Sequence, residues 1–242
     1  MPSASVIILK GEAKRQRQGT AARAWFIQQI ERVDRALART LVENGGQPVP
    51  FTVSGVLRDA ERAPYLRITT LSDALTAVWR EGVLPETIQL GADSYVVAGA
   101  GETHIDAGEH SYSQIAAEAL GSEQTTFRFN FLTPTLFRSG AIDVALPEPR
   151  RVFGSLLSRW EYFTETAFPV DPRPFFDGYV FAAQHRIQTH TIYDPARITG
   201  FMGSVVFKVA PRSKLPDDLR REWTSYLYCL NVLTRFAPYS GV

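Results

Sequence analysis

The residue types able to do chemistry in this 242-residue chain are few: four histidines, one cysteine, and a set of basic residues near turns and helix starts. His104 and His110 bracket Asp106 and Glu109, a composition that can ligate a metal. Their spacing fits no common zinc pattern and no cysteine stands with them, so a surface loop is expected there and no metal site. His185 and His190 lie five residues apart in a β-leaning stretch, which puts them on opposite faces of a regular strand and argues against a shared acid–base pair. Cys229 sits among apolar residues of a helical pattern and reads as a small core residue without a disulfide partner. Arg138 follows a strand in a turn stiffened by Pro134. Arg150 and Arg151 precede a helix, Arg23 lies near the start of the first one, and Lys208 lies on a valine-rich strand. A planar guanidinium can donate two hydrogen bonds to one phosphate and a lysine ammonium pairs with one as a point charge, so these five are the candidate phosphate contacts. The alternative for each is a surface ion pair.

Hydrophobic residues make up 45% and charged residues 21% of the chain, the balance of an ordinary globular protein. No apolar run approaches the roughly 18 residues of a membrane span, and Val6-Ile-Ile-Leu9 is too short for the core of a signal peptide. The expected setting is the cytoplasm, with no membrane partner. The net charge of +1 does not by itself imply a polyanion partner. The segment from Lys10 to Arg39 is more basic than the whole, and such a patch can steer a phosphate backbone. The sequence contains no phosphate-binding G-x-x-x-x-G-K-[ST], no G-x-G-x-x-G and no nucleophile elbow.

Ser5–Leu9 reads as a buried strand, and Phe26, Ile30, Val33, Leu37 and Leu41 step along one face of a single amphipathic helix stopped at Asn44-Gly-Gly46. Strands are expected at Phe51–Leu57, Tyr65–Thr70, Ile88–Leu90 and Tyr95–Ala98. Ser72 caps a helix to about Arg80, and Ser111-Tyr-Ser-Gln114 opens another that ends near Leu120. Phe127, Phe129 and Phe131 alternate with polar residues, as in a strand with one buried face that Pro134 ends. Phe153, Leu156, Leu157, Trp160 and Phe163 recur at helical spacing. Phe175–Ala183, His185–Tyr193 and Thr199–Val209 lean to strand, and Pro216-Asp-Asp218 opens a last helix. The order describes an α+β fold of two ferredoxin-like βαββαβ units, residues 1–122 and 123–242, each an antiparallel sheet with helices on one side.

Phe131-Leu-Thr-Pro-Thr-Leu-Phe-Arg138, Leu146-Pro-Glu-Pro149 and Val152-Phe-Gly-Ser-Leu-Leu-Ser-Arg-Trp160 resemble words of the CRISPR-associated repeat-RNA endoribonucleases, the sixth Cas protein of the RAMP superfamily. Pro50-Phe-Thr-Val-Ser54, Gly200-Phe-Met-Gly203 and Arg235-Phe-Ala-Pro-Tyr-Ser-Gly241 extend the resemblance in the family's order over most of the chain. It implies the same tandem ferredoxin-like fold and CRISPR repeat RNA as partner, with other Cas proteins of an effector assembly beside it and no cofactor. The implied reaction needs no metal: a 2′-hydroxyl attacks the adjacent phosphate, a base takes its proton, and an acid protonates the departing 5′-oxygen. On this reading Arg23, Arg138, Arg150, Arg151 and Lys208 contact RNA, joined by Ser240 and Gly241, which open the family's glycine-rich segment. The family continues from there into a final strand that is expected to be missing here.

The resemblance also locates a departure. The family carries a histidine at the end of the first helix and a lysine just before the Pro-Phe-Thr word, where this chain has Val42 and Val49. Valine neither carries a proton nor pairs with a phosphate, so the catalytic residues stay unassigned. Either the acid–base work has moved elsewhere, or the protein holds repeat RNA without cutting it.

Overall fold

The computed structural model describes residues 1–11, 18–43, 45–140, 142–193 and 197–240. They form two compact units, residues 1–111 with Tyr239 and Ser240, and Tyr112–Pro238. Among them no helix is long and apolar enough to cross a membrane.

The first unit runs β1 (Ser3–Lys10), α1 (Gly19–Val33), α2 (Arg35–Val42), β2 (Phe51–Val53), β3 (Leu57–Arg58), β4 (Pro64–Thr70), α3 (Asp73–Glu81), β5 (Thr87–Leu90), β6 (Asp93–Ala100) and β7 (Gly108–Glu109). Its sheet has the order β2-β4-β1-β6-β5, with β3 on β4 and β7 on β1, and every pairing is antiparallel. Alternation on β4 sends Leu66 and Ile68 into a core with Phe26 and Ile30 of α1, Leu41 of α2 and Trp79 of α3. The single helix expected from Phe26 to Leu41 is two. Asp34 leaves helical geometry at φ −138° and ψ 100°, and its carboxylate accepts from the Leu37 N–H at 2.9 Å. A short acidic side chain gains more by capping a new helix than by continuing the old one. Ser72 caps α3 as expected, accepting from the Leu75 N–H.

The second unit runs α4 (Tyr112–Ala119), β8 (Thr126–Thr135), β9 (Phe137–Ser139), β10 (Ile142–Val144), α5 (Pro149–Phe163), α6 (Arg173–Tyr179), β11 (Val180–Tyr193), β12 (Arg197–Val209), α7 (Asp217–Arg221) and α8 (Trp223–Ser240). The order β11-β12-β8 is antiparallel throughout. Phe127, Phe129 and Phe131 are buried. Phe129 meets Phe153 of α5 edge-on at 5.5 Å, which makes these rings core and not a stacking platform.

Three local expectations differ. Pro134 lies within β8, which runs on to Thr135. Register shifts on β12 between Phe201 and Gly203, and such a bulge lets a proline stay in the strand. Residues 175–179 are helical, because Pro174 starts α6 and adjacent Phe175 and Phe176 are both buried, a pattern that strand alternation forbids. The last helix is divided into α7 and α8 at Glu222.

Candidate nucleic-acid interface

Val42 is the last residue of α2 and is 63% exposed. With Ile27, Glu31, Arg35, Ala38, Arg39 and Glu43 it lines a groove of about 230 Å³ between α1 and α2. Glu31 near the end of α1 and Arg35 at the start of α2 pair across the Asp34 break at 3.6 Å. Val49 is half-buried against the core of the first unit. Two residues on, Phe51 carries the Arg23 guanidinium over its ring, 5.0 Å from the centroid. Arg23 projects from α1 into solvent, and no described carboxylate pairs with it. Val49, just before β2, is therefore flanked by an arginine from the neighbouring helix.

The other sequence-derived candidates are in different circumstances. Arg138 is not in a loop but on the short hairpin β9–β10, 74% exposed, with Nε 3.1 Å from Asp143 Oδ1 on the opposite rung. Arg151 and Arg150 converge on Glu148, at 2.6 and 3.2 Å. The hydrogen bond from Arg151, then that from Arg150, hold the Glu148 carboxyl below its usual range. Lys208 is exposed on β12, between Phe181 of β11 and Thr126 of β8. Ser240 is 2% exposed, and Gly241 lies outside the described residues.

His104 does not sit on a simple surface loop. Its Nδ1 accepts from the Asp106 N–H at 3.1 Å, and its ring lies 4.5 Å from that of Tyr65. The Tyr65 hydroxyl donates to Asp106 Oδ2 at 2.5 Å, and Arg67 Nε donates to the Asp106 carbonyl at 2.9 Å. Burial, then the bond to Asp106, raise the Tyr65 hydroxyl well above its usual range. His110 Nδ1 lies 2.6 Å from the Tyr239 hydroxyl. No group of three or more His, Cys, Asp or Glu among the described residues is arranged to hold a metal ion. His185 is exposed opposite Val205, and His190 is half-buried opposite Gly200, on the other face of β11.

Arg128 and Arg186 escaped the sequence reading, although both are exposed on the face that carries Lys208. The signal was present for Arg128, which alternates with the buried phenylalanines of β8. For Arg186 it was not, because the partner strand supplies no such alternation.

Residues 129–242 match the profile of the CRISPR-associated endoribonuclease Cas6. Among solved structures, the fold is similar to that of a Thermus thermophilus Cas6 (TTHB231) in a product complex. The TM-score is 0.79 and the identity 27%, over 99% of this chain and 94% of that one. A second Cas6 (TTHA0078), also in a product complex, is 25% identical with a TM-score of 0.77, over 99% of this chain and 92% of that one. The same protein in a substrate mimic complex gives 25% identity and a TM-score of 0.73 over the same shares. A search among curated proteins returned no match. These likenesses run through both units, and residues 129–242 carry the match to the Cas6 family of CRISPR-associated endoribonucleases, which this chain resembles.

Proposed function

We propose that this protein binds CRISPR repeat RNA and processes it by transesterification. The 2′-oxygen bonds to the adjacent phosphorus as the bond to the 5′-oxygen breaks, leaving a 2′,3′-cyclic phosphate on one product and a 5′-hydroxyl on the other. The observation that carries the reading is Arg23, an exposed guanidinium without a described carboxylate partner, positioned over Phe51 beside Val49. It supplies the cation that charge development on the phosphate requires, in place of the family's lysine. Arg138, Arg150, Arg151 and Lys208 are proposed as further backbone contacts, with Gly241 near the chain end; Ser240 is buried and is not among them. The setting is the cytoplasm, with other Cas proteins as additional partners.

A second reading is favoured by Val42. A side chain that is 63% exposed where the family holds its histidine offers no proton, so RNA is bound there and not cut. One paired experiment separates the two. Purified protein is incubated with a stem-loop repeat RNA in EDTA, followed by gel shift and product sizing. Cyclic-phosphate ends support processing by displaced acid–base groups. Tight binding of RNA that stays intact supports the second reading, and absence of binding at low salt removes both.

A further inference from the structure

The sheet of the second unit buries one face against α5; on the other face the residues of β8 and β11 are exposed, while the central strand β12 carries the buried Val206 beside the exposed Lys208. On β8 the outward residues are Thr126, Arg128, Asn130 and Leu132, all exposed. Register carries this face across the sheet. Lys208 lies opposite Thr126 and Phe181, Val206 opposite Arg128 and Gln184, and Ser204 opposite Asn130 and Arg186. With adjacent strands about 4.8 Å apart, Arg128, Arg186 and Lys208 form a cluster spread over three strands. No described carboxylate pairs with any of the three, and none of the outward residues just named is acidic. Phe181 is 53% exposed at the edge of this cluster, a placement that burial alone does not explain for so large an apolar ring.

We propose that this open face, with Lys208 among its cations, binds an unpaired stretch of the RNA, apart from the contacts assigned above to Arg23, Arg138, Arg150 and Arg151. Three fixed cations track the phosphates, the Phe181 ring stacks a base, and Asn130 and Gln184 offer amides to base edges. An aromatic on a positively charged sheet, with polar amides between, is the chemistry that holds single strands. A folded duplex offers no free base for the ring. The inference rests on the reading of the protein as an RNA binder and specifies which part of the RNA this unit takes.

The test is fluorescence anisotropy with two labelled probes, a ten-nucleotide unstructured RNA and a stem-loop repeat RNA without single-stranded flanks. They are titrated against the full chain and three variants, Arg128→Ala/Arg186→Ala, Phe181→Ala and Phe181→Trp. All three side chains are exposed, and circular dichroism verifies the fold of each variant. We expect the wild type to bind the unstructured probe. The double variant weakens that binding at least 10-fold and lowers its salt slope by about 1.4, at roughly 0.7 for each phosphate no longer neutralised. Phe181→Ala weakens it about 10-fold, Phe181→Trp binds like the wild type, and the stem-loop probe loses less than 3-fold in each case. Unchanged affinity of the double variant and of Phe181→Ala for the unstructured probe overturns the inference and leaves the proposed function standing. Failure of the wild type to bind either probe at low salt overturns both.

Discussion

On the proposed function, the side chain at position 42 decides between holding RNA and cutting it. General acid–base transfer contributes roughly 10²- to 10⁴-fold to such reactions, and Val42 supplies none of it. Val42→His places an imidazole at the exposed end of α2, and we expect metal-free cleavage of repeat RNA to rise by at least about 100-fold, read by product sizing in EDTA. An unchanged rate would put the proton carriers elsewhere in the chain. Arg23 makes the complementary case. Its replacement by alanine removes a cation without opening the core, so affinity should fall about 10-fold while the melting temperature stays put. Cys229 shows the opposite of a reactive site. It is fully buried, and burial pushes its thiol up to about 12. A thiol reagent at pH 8 should leave the native protein unmodified and label one thiol per chain in denaturant.

The elements that carry these residues differ in how plainly the sequence announced them. Helices α3 and α5 and strands β4 and β8 have strong periodicity and appear where it places them, because one face of each is buried in a single direction. The break between α1 and α2 was hidden, since Ile30, Val33, Leu37 and Leu41 keep helical spacing across Asp34. Only the choice of Asp34 between solvent and the Leu37 N–H reveals it. Helix α6 was hidden by its composition, as Phe175, Phe176 and Tyr179 favour strands until packing decides. The candidate site was legible in part, through Arg23 and Lys208. The open sheet face was not, because which residues share it depends on the register of β11 against β12. That register turns on Gly203, at φ +124°, where an added Cβ would stand 2.0 Å from the Arg186 carbonyl oxygen. Gly203→Ala must displace β11, and we expect a loss of about 1–3 kcal/mol, measured by chemical denaturation, together with weaker binding of the unstructured probe. The start of α5 carries a pH dependence. Glu148 has its folded pKa below the usual value of about 4.3, so its contribution is present above that value and disappears as pH falls through the lower folded pKa. At 36% side-chain exposure solvent screens these pairs, and the effect is below about 1 kcal/mol. Stability measured from pH 6 to pH 3 should fall less steeply in Glu148→Gln.

A molecule with a net charge of +1 binds a polyanion only if its cations are segregated from its carboxylates, and not merely present. The described cations named above divide on this point. Arg138, Arg150, Arg151 and Arg173 each face a carboxylate, and RNA phosphate must displace it. Arg23, Arg128, Arg186 and Lys208 have no described carboxylate partner, so a phosphate meets them at little electrostatic cost. The distinction has a measurable consequence in salt titrations. Removing one such cation should lower the slope of log affinity against log salt by about 0.7–0.9, the share of a single neutralised phosphate. Arg151→Ala should lower it by less than half as much, since the Glu148 carboxylate already neutralises that charge, and should instead lower the melting temperature. Equal slope changes for Arg23→Ala and Arg151→Ala would mean that RNA opens the Glu148 pairs, and that the charges available in the complex are those of a rearranged α5 start.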